Sequence, residues 1–165
     1  MLRKFWAICL LMQLSFAHGA ERNMNELLDI DLAWGGFYAG ISKDSGEISV
    51  FRMLDFNQNA YHIVIYKENF QHIPSEKEIL SLSPYIGHAP IDSKGLLNYD
   101  KITLINTKQL TSEDLIGYMY YLEEFEVSEK ERKELSQSLI NYSKEPPLKL
   151  RLAIVKGELQ VSERN

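Results

Sequence analysis

The sequence predicts an α+β domain behind an export leader: an antiparallel β-meander of about four strands and a C-terminal β-hairpin, packed with two to three helices. Three observations carry this. Apolar and polar residues alternate with period two across residues 28–67, and again across residues 148–161. Between these stretches, three short polar runs have the chemistry of helix starts and lead into apolar residues at helical spacing. No run rich in Pro, Gly or Ser divides the chain after its leader, and no segment repeats, so residues 21–165 are read as one domain.

The leader comprises residues 1–20. Arg3 and Lys4 form a basic start, residues 5–14 an apolar core too short to span a bilayer, and small residues follow at Ser15, Ala17, Gly19 and Ala20. This is the pattern of a secretory signal peptide. Cys9, the sole cysteine, sits inside the apolar core and not at the cleavage point, so no lipid anchor is expected. A disulfide-free exported chain of about 145 residues must rely on its core alone, as many periplasmic proteins do. A Gram-negative periplasm is the expected location, with secretion as the alternative.

The meander is threaded from its turns. Leu28, Ile30, Leu32 and Trp34 alternate with Asp29, Asp31 and Ala33, and Gly35-Gly36 is a favoured two-residue hairpin loop. This places Leu32 opposite Ala39 and Ile30 opposite Ile41. A turn at Ser45-Gly46 sets Ile41 against Val50 and Phe37 against Leu54. A polar turn at residues 57–60 sets Phe56 against Tyr61, Leu54 against Ile63 and Asp55 against His62. Leu27, Ile30 and Trp34 also fit helical spacing, which leaves a short helix as the rival for the first strand. In this register the second face carries Tyr38, Phe51, Met53, Val64 and Tyr66. That face is either covered by the remaining elements or is a binding surface. Arg52 interrupts the apolar face. Its stem lies along the core with the head at the rim or at a buried carboxylate, or a β-bulge turns it outward.

Further along, Ser75 and Glu78 form a capping box that opens a short helix stopped by Pro84. Residues 85–98 read as an irregular loop punctuated by Gly87, Pro90 and Gly95. Residues 102–105 suggest a strand. Thr111 and Asp114 start a second helix carrying Leu115, Tyr118, Met119 and Leu122, although Gly117, Tyr120 and Tyr121 would also suit a strand. Ser128 and Glu131 cap a third helix whose inward stripe is Leu135, Leu139 and Tyr142. After Pro146 and Pro147, Leu148, Leu150, Leu152 and Ile154 form a strand that turns at Lys156-Gly157 into Leu159 and Val161.

The formal net charge is −5, and loss of Arg3 and Lys4 with the leader makes it −7. An acidic chain lacks the electrostatic footprint for nucleic acid and is repelled by anionic lipid, so a basic protein partner is the natural expectation. Glu123, Glu124 and Glu126 lie at the junction of the last two helices and suit such a partner. No zinc spacing, phosphate loop or nucleophile motif is present, and neither metal nor cofactor is expected. Two histidine pairings remain as candidate chemistry, His62 with Asp55 across the strands and His88 with Asp92 in the loop. The leading functional expectation is a periplasmic protein-binding module, an inhibitor or immunity protein directed at an exported enzyme. The alternatives are a small hydrolase using one of the His/Asp pairs and a carrier of a small ligand.

Overall fold

The computed structural model describes residues 27–56 and 60–164. The leader, the lead-in to residue 26 and the turn residues 57–59 lie outside the described residues. The fold is α+β, with eight strands in two antiparallel sheets among the described residues. In chain order the elements are β1 (Leu27–Leu32), β2 (Gly36–Ser42), β3 (Ile48–Phe56), β4 (Ala60–Phe70), α1 (Glu76–Leu80) and β5 (Pro84–Asp92). A 3-10 helix (Ser93–Asn98) leads to β6 (Tyr99–Thr107), α2 (Ile116–Glu124), α3 (Glu129–Tyr142), β7 (Leu148–Val155) and β8 (Glu158–Glu163). The larger sheet has the order β5-β4-β3-β2-β6 and the smaller one β1-β7-β8.

The larger sheet is buried on both faces. Tyr38, Phe51, Met53, Tyr61 and Ile63 pack against Leu28, Ile30, Leu32, Leu150 and Leu152 of the smaller sheet. On the opposite face, Phe37, Val50, Leu54, Val64 and Tyr66 pack against Leu115, Tyr118, Leu122 and Leu139 of the helical layer. Each fully buried aliphatic side chain contributes roughly 2 kcal/mol by its removal from water, so two such interfaces dominate the stability.

A four-strand meander is present, displaced by one strand from the predicted one: it is β2-β3-β4-β5. The first strand belongs to the other sheet, where Leu28 stands opposite Leu152 and Ile30 opposite Leu150. Period-two alternation identifies a half-buried strand and is silent about its neighbour; the buried contact between the two strands is aliphatic, and exposed ion pairs flank it. Asp29 receives a bidentate pair of hydrogen bonds from Arg151 at 2.8 and 3.0 Å, and Arg164 reaches Asp31 at 2.6 Å. Gly35-Gly36 therefore links the two sheets, with Gly35 at φ 75° and its N–H donating to Met53 O at 2.8 Å. A Cβ on Gly35 would collide with the Lys108 carbonyl.

Two further register differences decide where side chains point. The β2–β3 turn spans residues 43–46, closed by Ser42 N donating to Glu47 O, so Ile41 faces Ile48 and Phe37 faces Arg52. Between β3 and β4, Asp55 faces His62 and Phe56 faces Tyr61, as the polar turn implied. The ladder then slips by one residue at Leu54, so Met53 faces Ile63. An extra residue on one strand reverses the facing of everything beyond it. Tyr38, Phe51 and Met53 consequently turn to the small sheet, while Val64 and Tyr66 turn to the helices.

Residues 85–98 are not irregular, because β5 occupies their first half and the 3-10 helix the second. Pro84 and Pro90 are compatible with β5 because it is an edge strand, where a missing ladder donor is tolerated. The predicted capping boxes at Ser75/Glu78 and Ser128/Glu131 form in full. Ahead of α2, Asp114 Oδ2 accepts from Thr111 N at 2.8 Å, and Asp114 N donates to Thr111 Oγ1 at 3.3 Å. Arg52 is 4% exposed, and it locks this start onto the sheet. Its guanidinium donates to Asp114 Oδ1 at 2.6 Å and to Lys108 O at 3.1 Å, with its carbon 4.9 Å from the Phe37 ring centroid. At β7–β8, Lys156 and Gly157 both adopt positive φ, 53° and 81°, as a two-residue primed turn requires.

Candidate functional site

The polar side chains between the large sheet and α2 form the most unusual cluster in the molecule. His62 faces the helices because it alternates with Tyr61 and Ile63, which face the small sheet. His88 faces the same side because it alternates with Ala89, the cross-strand partner of Ile63, which faces the small sheet. The two rings stack with centroids 5.2 Å apart, and His62 Nδ1 lies 2.9 Å from His88 Nε2. One of these nitrogens must carry the proton and the other the lone pair.

α2 closes over them. Tyr118 stacks on His62 at 4.2 Å and on His88 at 5.0 Å, while Tyr121 tilts against both rings and leans on Phe125. The close approach depends on Gly117, where a Cβ would sit 3.1 Å from His88 Cβ and 3.4 Å from the Gly87 carbonyl carbon. Burial, and secondarily repulsion by the neighbouring imidazole, lowers His62 to about 3, and burial alone lowers His88 to about 4. Both are neutral at pH 7.

Asp55 completes the cluster from β3. It accepts from Tyr118 Oη at 2.9 Å, from Phe56 N at 2.8 Å and from Trp34 Nε1 at 3.3 Å. Burial raises its pKa, and these three hydrogen bonds oppose the rise. Asp55 and His62 are cross-strand neighbours, yet each hydrogen-bonds elsewhere: Asp55 to Tyr118 and His62 to His88. Asp92 accepts from Lys94 N at 2.8 Å and caps the 3-10 helix. Among the described residues no three His, Cys, Asp or Glu side chains converge as metal ligands would.

The other residues singled out in the sequence fall into two groups. Tyr38, Phe51 and Met53 lie in the core between the sheets, where Tyr38 and Phe51 stack at 5.3 Å. The Tyr38 hydroxyl accepts from Ala33 N at 2.6 Å and donates to Asp31 O at 3.0 Å, tying the two sheets together. Tyr66 packs on Phe37 beneath the helices. Glu123, Glu124 and Glu126 are exposed at the end of α2. Glu123 pairs with Arg132 at 3.2 Å, and Glu126 holds φ 59° in the turn to α3.

The outward face of α2 is the feature that sequence reasoning missed. Leu115, Tyr118 and Leu122 point inward, yet Ile116 and Tyr120, one turn apart on the opposite side, are 51% and 67% exposed. Tyr85 of the neighbouring edge strand is 66% exposed. The available signal was composition: residues 116–122 contain a single non-apolar residue, Gly117, and an ordinary surface helix of that length shows a polar stripe. α3 has such a stripe, with Lys130, Lys133, Glu134 and Gln137 at its surface.

No protein-family model, curated protein or solved structure matches the chain.

Proposed function

We propose that this is an exported protein-binding module, an inhibitor or immunity protein, that receives a basic partner on the outward face of α2. The observation that carries this reading is the exposure of Ile116 and Tyr120 on a helix whose inward side is already apolar. A rigid aromatic and a branched aliphatic group at the centre of a patch are typical anchors of protein interfaces. Glu113 lies exposed ahead of the helix and Glu123, Glu124 and Glu126 at its end, with Glu123 paired to Arg132, and the chain as a whole is acidic. Complementary charge at the rim raises association rates and selects a basic surface. The leader at residues 1–20 supports export.

The polar cluster supports this reading more than a hydrolytic one. The His62 and His88 nitrogens that face each other are engaged in one hydrogen bond, and Asp55 lies beneath Tyr118. These groups seat α2 on the sheet and so fix the patch on a firm support.

The test is co-purification of the leader-free protein with periplasmic and secreted proteins of the producing cell. A partner should be retained at low salt, released as ionic strength screens the rim, and lost in Ile116→Ser/Tyr120→Ser. Retention undiminished by that double substitution excludes α2 as the contact.

A further inference from the structure

At one end of the large sheet, the strands, the β2–β3 turn and the 3-10 helix border an open groove of about 360 Å³. Its floor is Ser49 of β3 and Asn69 of β4, which stand directly opposite each other, with the Tyr99 ring beside them. The β2–β3 turn forms one wall and the 3-10 helix the other, with Asn98 at its end. We propose that this groove binds a neutral, polyhydroxylated ligand of one or two sugar rings.

The backbone is shaped to build this groove. The ladder register shifts at Ile41/Ser42 and at Ser49/Phe51, so two irregularities flank the groove and re-aim Ser42 and Ser49. Tyr99 lies flat on the sheet only because residue 40 is glycine; a Cβ there would come within 2.6 Å of its ring. The ring also packs near Phe51, at 6.0 Å, and its hydroxyl lies 3.4 Å from Ser49 Oγ. An aromatic platform held in this way offers an apolar surface next to hydrogen-bonding groups.

The lining selects the ligand by its chemistry. Serines and asparagines supply both donors and acceptors without charge, as a hydroxyl-rich molecule requires. Among the described residues, Glu47 is the sole charged group of the lining. It is steadied by its own N–H donating to Ser45 Oγ at 3.2 Å and by Ser45 Oγ donating to its carboxylate at 3.4 Å. No described lysine, arginine or histidine lines the groove, so phosphates and carboxylates would meet repulsion with nothing to offset it. Ile91 and the Tyr99 ring are too little apolar surface for a lipid or an apolar cofactor. The volume lies at the lower end of the range for small-molecule sites. The groove involves neither α2 nor its exposed face, so this inference does not rest on the proposed protein partner.

The test is an amide NMR titration of the protein with maltose, cellobiose and N,N′-diacetylchitobiose, each taken to about 20 mM, well above a millimolar Kd. At least one should give saturable shifts confined to residues 42–49, 69 and 95–99. Ser49→Val and Asn69→Leu should weaken that binding by about tenfold, the loss of one neutral hydrogen bond or somewhat more. Tyr120→Ser should leave it unchanged. Spectra elsewhere and the unfolding temperature report that the variants fold. The inference is overturned if no disaccharide saturates, if the shifts map outside the groove, or if both well-folded groove variants bind as the parent does.

Discussion

His62 Nδ1 and His88 Nε2 stand 2.9 Å apart on adjacent strands, with Tyr118 and Tyr121 of α2 against both rings. This contact joins the sheet to the helix that carries the exposed apolar face. It places two uncharged imidazoles where protonation of both would remove the acceptor that their hydrogen bond needs.

The pair predicts acid lability. Both folded-state values, about 3 and about 4, lie below the ordinary 6.5 of an unfolded histidine. Between those limits the unfolded chain binds more protons, so stability is fully present above pH 6.5 and falls as pH drops toward 4. The slope is at most about 1.4 kcal/mol per pH unit for each buried imidazole, and less for His88, which solvent partly screens. Asp55 acts in the opposite sense: its raised pKa makes its contribution complete below 3.8 and diminished as pH rises through the folded value. Urea midpoints of the parent and Asp55→Asn between about pH 7 and pH 4.5 separate the two. The variant should lose stability more steeply on acidification, and replacing both histidines by phenylalanine should flatten the profile.

Gly117→Ala tests the seating of α2. Alanine favours a helix by about 1 kcal/mol over glycine. Its methyl group, however, would press on His88, whose ring is held by the stack and cannot give way. Net destabilisation of about 1 kcal/mol is expected in denaturant unfolding. Stabilisation would mean that α2 is not seated this closely.

Arg52, buried, and Asp114, half-buried, should behave as a coupled pair. Burial raises the Asp114 pKa, but hydrogen bonding and attraction from Arg52 outweigh it and leave the net value lowered. Arg52→Met should cost roughly 3 kcal/mol because Asp114 keeps its charge without its partner. Arg52→Met/Asp114→Leu should recover only part of the loss, because Asp114 also accepts from Thr111 N, as a double-mutant cycle in urea would show.

Glu126→Gly separates stability from binding. Its φ of 59° is strained for any residue with a Cβ, and glycine at a helix C-terminus relieves that strain. Part of the gain is offset by greater freedom of the unfolded chain, which leaves a rise of about 0.5 kcal/mol. With Glu126 in the proposed contact rim, the same change should weaken complex formation while the unfolding temperature increases.

Much of the fold was legible because local chemistry specified it. Ser75/Glu78 and Ser128/Glu131 placed two helix starts, Lys156-Gly157 placed a hairpin turn, and Asp55 opposite His62 followed from the short polar turn between them. What escaped was non-local. Nothing in the alternation of Leu28, Ile30 and Leu32 names β7 as their neighbour, since that choice depends on residues more than a hundred positions away. The slip at Leu54 leaves no mark in an apolar pattern, yet it sends Met53 and Val64 to opposite faces. His88 lies in a strand whose prolines and glycine resembled a loop, so its place beside His62 was hidden. Of the candidate site residues, Asp55 and His62 could be placed together in advance; Tyr118 and His88 could be joined to them only in three dimensions.

The most direct measurement is site-specific photocrosslinking in the producing cell, with benzoylphenylalanine at position 120 of α2 and, as control, at position 133 on the charged face of α3. Position 120 should give one discrete crosslinked protein that is diminished by Ile116→Ser, and position 133 none. No adduct from position 120, or the same adducts from both positions, would contradict the assignment of α2 as the contact face.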